Sequence, residues 1–476
     1  MNLKNYPICG RLNDFRDHLI NFLNFLGVSF LLIANASALD IKRHAITWTI
    51  NGSPASGTYA NGDPWVVGPV TITNITPAST VTSSGRTING TMLNPEAAEW
   101  PQQGFDSKMS EGQGLNWNAG LNKGRPGGNA LSASNPLVVP AGTSVCSSVS
   151  HPTDTKRPTL TDFSVLTVVA SAPAAGSFRP PYCGTDKTHY WNKSQLNYNI
   201  LRKLAPVSGA FTPDEIAGNF ERPWVEISTQ QMAYTGLRAS NNQPFYGRDM
   251  DMILGSGLLT LHLNYTNAQK EALYVRLVQY GLDVYGAWKS NNAVIWQDEA
   301  GIMQGQKAPV VLAGMALNDS KIAALGSMEK KFSIDRQTWY VTQADVGRTL
   351  QTQSGKPPPS RQYQQSDVGV PEWGIKHTST AQFDNPDWSA VYRDVVFHGS
   401  YGTALFAHLT PGMKAAWNHN AHFDYFDRVR RISGSDAGTP FQRNMWNAYS
   451  DSQPPIDPPT DPVAPAPPTG LRVLPP

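Results

Sequence analysis

Cysteine is scarce in this chain, with three in 476 residues. Cys9 precedes an expected cleavage site, leaving Cys146 and Cys183, which argues against cysteine catalysis and a cysteine-based zinc site. The remaining pair reads either as a bridge formed in an oxidising compartment or as two separate buried thiols. Long Lys/Arg runs are also missing and the formal net charge is +2, so electrostatics give no reason to expect a nucleic-acid partner. Local arginines would still suffice to hold an anionic sugar. No segment after the N-terminal region is apolar enough to span a bilayer. Neither a G-x-S-x-G elbow, a P-loop nor a dinucleotide fingerprint stands in a strand–turn–helix setting, which disfavours serine-hydrolase and nucleotide chemistry. No motif calls for a cofactor.

The N-terminus carries the run FLNFLGVSFLLIANASA, preceded by Lys4, Arg11 and Arg16 and closed by Ala36-Ser37-Ala38. This is the pattern of a secretory signal peptide, so residues 1–38 are set apart from the fold and an extracellular or periplasmic location is expected. From residue 39 to 188 period two dominates, as in His44–Ile50, Val70–Ile72 and Val165–Val169, with Gly, Pro, Asn and Ser clusters between the runs. That pattern predicts an N-terminal antiparallel β-sandwich. Residues 189–452 change to helical signals. Thr212-Pro213-Asp214-Glu215 and Thr266-Asn267-Ala268-Gln269 are capping boxes, the second opening a long helix to about Trp288. Two adjoining apolar stripes on that helix, one through Leu273 and Leu277 and one through Val278 and Leu282, predict burial on two sides. Further helices are expected at Arg248–Leu263, Lys307–Leu317, Asp387–Leu409 and Phe423–Ile432, stacked as hairpins in an all-α, toroid-like domain. Residues 453–476 form a Pro-rich linker. Its end, PAPPTGLRVLPP, resembles the opening of a fibronectin type III module, which implies an accessory module further on.

Chemistry concentrates between Pro371 and Arg428, where five of the ten histidines stand among three Trp and many Tyr and Phe. A core wants Leu, Ile and Val, whereas imidazoles, phenols and indoles together suit proton transfer and polar rings. Glu372, Trp373 and His377 offer a carboxylate, a sugar-stacking face and an imidazole within six residues; the structural alternative is a loop Trp plugging the helical domain. Tyr392, Arg393 and Tyr401 follow, with Arg393 able to fork onto a carboxylate or to pair with Asp394. Trp417, Asn418 and His419 come next, and His419, His422 and Asp424 present three potential metal ligands, although no Glu separates the histidines as in HExxH. Capping or substrate hydrogen bonds from Asn418 and His419 are the competing reading. Upstream, Arg222, Tyr246 and Arg248 lie at expected helix junctions, and Asp298-Glu299 forms a carboxylate pair in a Gly-containing loop.

In its W-G-x-x-H segment and its Y-R…S-Y-G…W-N-H-N-A-H-F-D-Y segment the chain resembles secreted bacterial polysaccharide lyases with a helical toroid and a β-sandwich, the group of alginate-lyase and heparinase-like enzymes. The resemblance implies a polysaccharide substrate and β-elimination next to a uronate carboxylate. It further implies His377 as base or neutraliser, Tyr401 or Tyr392 as acid/base phenol, and Asn418, His419 and Arg393 as carboxylate binders. Residue type and placement, apart from the resemblance, make Trp373, Trp417, Glu372, Tyr246 and Arg248 the expected substrate lining. Two other classes remain open. A glycoside hydrolase would use two carboxylates such as Glu299 and Glu372, and a non-catalytic glycan-binding or structural protein would stack sugars without moving a proton.

Overall fold

The computed structural model describes residues 37–110, 115–153, 158–225, 227–229, 238–244, 246–296, 301, 303–347, 362–373, 390–433 and 437–451. The expected signal segment up to residue 36 and the Pro-rich end from residue 452 lie outside them. Strands occupy the first part. They are β1 (Ala38–Arg43), β2 (Ile46–Asn51), β3 (Ser56–Thr58), β4 (Pro64–Val67), β5 (Val70–Thr76), β6 (Thr80–Val81), β7 (Thr87–Ile88), β8 (Thr91–Leu93), β9 (Gln102–Gln103), β10 (Asn116–Trp117), β11 (Leu137–Val139), β12 (Thr143–Ser150) and β13 (Leu160–Val169).

Two larger sheets result, one of four strands in the order β1–β2–β5–β11 and one of five in the order β3–β4–β13–β12–β8. Alternation in β2 sends Ile46, Trp48 and Ile50 inward, where they join Val70 and Ile72 of the same sheet and Val66, Val145, Leu166 and Val168 of the other in one apolar cluster. The pairing is not uniformly antiparallel as expected. β4 runs parallel to β13, with Val66 opposite Val168, and β9 parallel to β10. No hairpin turn joins β4 to β13, so nothing local imposes the antiparallel direction.

β13 explains how the strands meet the helices. Its near-continuous burial arises because both faces are covered: Leu166 and Val168 face the first cluster, whereas Phe163 and Val165 belong to a second that also takes in the helices. The second cluster therefore runs across the change from strand to helix. A buried ionic bridge spans the same junction. Arg179 donates to Asp63 Oδ2 at 2.7 Å and to Asp283 Oδ2 at 2.6 Å, and Arg43 reaches Asp63 Oδ1 at 3.1 Å.

The helices are α1 (Pro213–Ala217), α2 (Gly247–Leu261), α3 (Asn267–Ser290), α4 (Lys307–Leu317), α5 (Ser320–Gly326), α6 (Ser333–Gln337), α7 (Ala390–Leu409), α8 (Met413–Trp417), α9 (Asn420–Ser433) and α10 (Pro440–Tyr449). Both expected capping boxes form, from Thr212 and Thr266, and both stripes of α3 are buried. A short antiparallel pair, β14 (Thr338–Tyr340) with β15 (Pro371–Trp373), lies among the helices. α2 packs along α7, and α3 along α4. Among the described residues no helix is long and apolar enough to cross a membrane. Cys146 and Cys183 are free thiols buried in the second cluster. Burial pushes Cys146 up to about 12 and raises Cys183 well above the ordinary range, with Cys146 adding to that rise.

Candidate functional site

The crossing of α2 and α7 brings together a buried carboxyl, a hydroxyl and an amide. Gly255 faces Gly402 so closely that a Cβ on Gly255 would stand 2.8 Å from the Gly402 Cα; only glycine lets the two backbones approach this far. One turn before Gly255 is Asp251, and two residues before Gly402 is Ser400. The close crossing puts Ser400 Oγ 2.6 Å from Asp251 Oδ2, to which it donates. Ser400 Oγ in turn accepts from Gln304 Nε2 at 3.1 Å. Asp251 is only 3% exposed, and burial pushes its carboxyl up to about 7, with the Ser400 hydrogen bond acting in the opposite sense. A carboxyl poised at neutrality donates a hydrogen bond when protonated and only accepts when ionised. Such groups concentrate at functional sites.

The same crossing carries part of the expected substrate lining. Tyr246 is the residue before α2, and the Arg248 guanidinium lies 5.3 Å from its ring centroid. Arg248 Nε donates to Asp249 at 2.7 Å, and both side chains remain about one-third exposed, at 35% and 34%. Gly399 of α7 backs onto the Arg248 Cα, 3.2 Å from where a Cβ would sit. Tyr401, adjacent to Ser400 but about 100° further round the helix, is buried against Phe397 and Trp446, each with its ring centroid 5.4 Å away. Burial raises its phenol. His377 lies outside the described residues, as do Asp298 and Glu299 and the side chains of Tyr392 and Arg393.

The remaining expected residues gather around β14 and β15, and most are committed to structure. Glu372 is fully buried, accepts from the Tyr363 hydroxyl at 3.0 Å and pairs with Arg428. Trp373 is buried at the facing register position to Thr338. His419 Nε2 is 2.9 Å from Thr338 Oγ1 and 3.0 Å from the Thr338 carbonyl, and burial lowers its pKa while Asp335 pulls the other way. Trp417 Nε1 donates to Asp335 at 3.0 Å, and Lys307 pairs with that carboxylate while donating to the Trp417 carbonyl at 2.7 Å. Asn418 is exposed in a left-handed C-cap, its amide donating to the Ser327 carbonyl at 3.0 Å.

Of the expected site residues that are described, the structure places Tyr246 and Arg248 at the α2–α7 crossing and Glu372, Trp373, Trp417, Asn418 and His419 around β14 and β15. Tyr401 and His419 belong to different packed networks, linked through Phe426, which stacks on Phe397 and meets His422 edge-on. Much of the described aromatic density between Pro371 and Arg428 builds this core by ring packing: Trp417 and His419 find polar partners inside it, whereas the Trp373 indole N–H and both His422 ring nitrogens are buried without one among the described residues. Arg222 likewise serves the junction with the strands, donating to Asp162 at 2.8 Å. His419, His422 and Asp424 do not form a ligand set. His422 is buried and stacks on Trp417, Asp424 accepts from the Tyr340 hydroxyl, and among the described residues no group of three His, Cys, Asp or Glu could hold a metal ion.

Asp251 was not singled out by sequence reasoning, yet a signal existed. In G-R-D-M-D-M-I-L-G-S-G-L-L it shares the buried face of α2 with Leu254, Gly255 and Leu258, and a carboxylate on an apolar stripe demands an explanation. Comparison of the sequence with protein-family models and with curated proteins, and of the fold with solved structures, found no match.

Proposed function

We propose that the protein is a secreted polysaccharide lyase that cleaves a uronate-containing glycan by β-elimination, on a framework of a β-sandwich followed by toroid-like helical hairpins. The observation that carries this reading is the α2–α7 crossing, which buries Asp251 against the Ser400 hydroxyl three residues after the partly exposed Arg248 and its Tyr246 contact. β-Elimination needs a base for the proton α to the carboxylate, a donor for the charge that develops there and an acid for the leaving oxygen. Arg248 is the donor, partly exposed and able to exchange its Asp249 contact for a substrate carboxylate. Asp251 acts as a positioning residue: as the final acceptor of the Gln304–Ser400–Asp251 chain of hydrogen bonds, its ionisation strengthens that chain and its protonation weakens it.

His377 keeps its assignment as base or neutraliser, Tyr392 as the phenol and Arg393 as a second carboxylate binder. The burial of Tyr401, and the engagement of His419 and Trp417 below β14, assign these three to support rather than to substrate contact. Glu372, closed in by Tyr363 and Arg428, is a poor member of a hydrolase carboxylate pair. The test is incubation of the mature protein with a panel of anionic and neutral polysaccharides, following ultraviolet absorbance and reducing ends together. Absorbance of an unsaturated uronate should appear on a uronate polymer, and Asp251→Asn should change the pH profile of that activity while Asp251→Glu partly restores it. New reducing ends without the chromophore would make the protein a hydrolase. Neither signal on any polymer, with binding retained, would make it a non-catalytic glycan binder.

A further inference from the structure

A second location, away from the α2–α7 crossing, has the makings of a ligand site. The segment from Pro181 to Trp191 lies against the C-terminal part of α3 and forms with it a partly open cavity of about 190 Å³ lined by Tyr190, Trp191, Tyr285, Asp186, Glu96 and Lys289 among others. Water enters such a space once ~10–15 Å³ is available, so this one admits a group much larger than water. Gly286 makes this contact possible: a Cβ there would stand 2.0 Å from the Pro181 side chain, so any other residue would push the segment off the helix.

Three aromatic rings meet at the cavity. Trp191 contacts Tyr190 at 5.4 Å and Tyr285 edge-on at 6.4 Å between centroids. Trp191 and Tyr285 are buried, whereas Tyr190 is 49% exposed. An exposed large aromatic held in one orientation offers a stacking face. The orientation is held from two sides, since the Tyr190 hydroxyl donates to Asp186 Oδ2 at 3.1 Å and Lys289 Nζ lies 5.4 Å from the ring centroid. Lys289 also pairs with Asp186 Oδ2 at 2.5 Å. Trp191 is anchored from behind by its indole N–H on Asp319 at 2.7 Å.

We propose that this cavity binds a neutral, hydroxyl-rich sugar ring, stacked on Tyr190 and hydrogen-bonded by Asp186, Glu96 and Lys289. The charge of the lining decides between sugar classes. Two carboxylates face one ammonium, and that ammonium is already paired, so a uronate would meet net repulsion while hydroxyls find acceptors and a donor. The proposal shares with the lyase reading only the premise that the ligand is a glycan. If both hold, the polymer contains neutral residues beside its uronates, and this cavity holds a neutral one.

The test reads binding without turnover and so stands apart from any failure of the lyase assay. Cello-, xylo-, manno- and chito-oligosaccharides and oligouronates are titrated into the mature protein by calorimetry and by Trp fluorescence. At least one neutral series should bind, and oligouronates should bind the Tyr190→Ala variant as they bind the unaltered protein. Tyr190→Ala should weaken the neutral ligand about tenfold, equivalent to ~1.4 kcal/mol, without lowering the melting temperature. Tyr190→Phe, which keeps the ring, should stay within about threefold. The proposal is overturned if no neutral oligosaccharide binds, if Tyr190→Ala binds one as tightly as the unaltered protein does, or if oligouronates alone bind and lose affinity on removal of Tyr190.

Discussion

Asp63 and Asp251 are both withdrawn from water, one at the strand–helix junction and one at the α2–α7 crossing, yet their charges are handled in opposite ways. Burial opposes ionisation of Asp63, but Arg43 and Arg179 more than offset it and hold the carboxyl below its usual range. Asp251 meets a hydroxyl instead of a guanidinium, so burial prevails and the carboxyl rises to about 7. The difference teaches that depth alone does not mark a functional acid. What decides is the balance between depth and the local cations: at Asp251 burial meets only a hydroxyl, and at Asp283, which has Arg179 alone, burial still wins and the carboxyl rises to about 6, whereas Asp63 has two guanidiniums. Asp63 is a structural clamp and Asp251 is a titrating group, although both would count simply as buried acids.

The clamp should show the largest effect. Arg179→Ala leaves Asp63 and Asp283 buried with their shared cation gone, a change expected to cost about 3–5 kcal/mol and readable in the urea midpoint. A loss below ~1 kcal/mol would mean that water or Arg43 replaces the cation and that the contrast with Asp251 is overdrawn.

The two acids should also give opposite pH dependence. Asp63 has a depressed folded pKa, so its stabilisation is present above the ordinary aspartate value of 3.8 and lost as pH falls through the folded value. Asp251 has a raised one, so its contribution is fully present below 3.8 and lost as pH rises towards 7, at up to ~1.4 kcal/mol per pH unit. Asp251→Asn should remove this slope between those values. Chemical denaturation of both proteins across that window checks it, and parallel curves would contradict the assignment.

Two smaller effects sharpen the comparison. Gly255→Ala should force α2 and α7 apart, at a cost of about 1–3 kcal/mol, and should lower the Asp251 pKa by admitting water. Asp424→Ala removes only an exposed contact with Tyr340 and should stay within ~0.5 kcal/mol in thermal denaturation. Sensitivity of the unaltered protein, but not this variant, to a chelator would restore the metal reading of His419, His422 and Asp424.

Much of the fold was legible because its signals are local. Ile46, Trp48 and Ile50 alternate as β2 requires, and the Thr212 and Thr266 boxes mark helix starts. Lys307–Leu317 matches α4 in full. A third box, Thr439-Pro440-Phe441-Gln442, opens α10 and went unread although it has the same form. The β14–β15 pair was not legible, since its strands are three residues each and meet only across a long intervening segment. For the candidate site, Tyr246 and Arg248 were placed at a helix junction and stand there. Asp251 was missed because its importance depends on Gly255 meeting Gly402, a contact between distant segments. The histidine-rich stretch invited the opposite error. Chemical side chains in high density read as a cleft, but His419, His422 and Trp417 are instead buried polar groups inside a packed core.

The most direct measurement is a pH titration of the Asp251 carboxyl by difference infrared spectroscopy, subtracting Asp251→Asn spectra from those of the unaltered protein. A protonated-carboxyl band that disappears with a midpoint near pH 7 is the result expected of a buried acid without a cation. A midpoint near the ordinary aspartate value of about 3.9 would contradict it, and with it the reading of the α2–α7 crossing as the functional centre of the molecule.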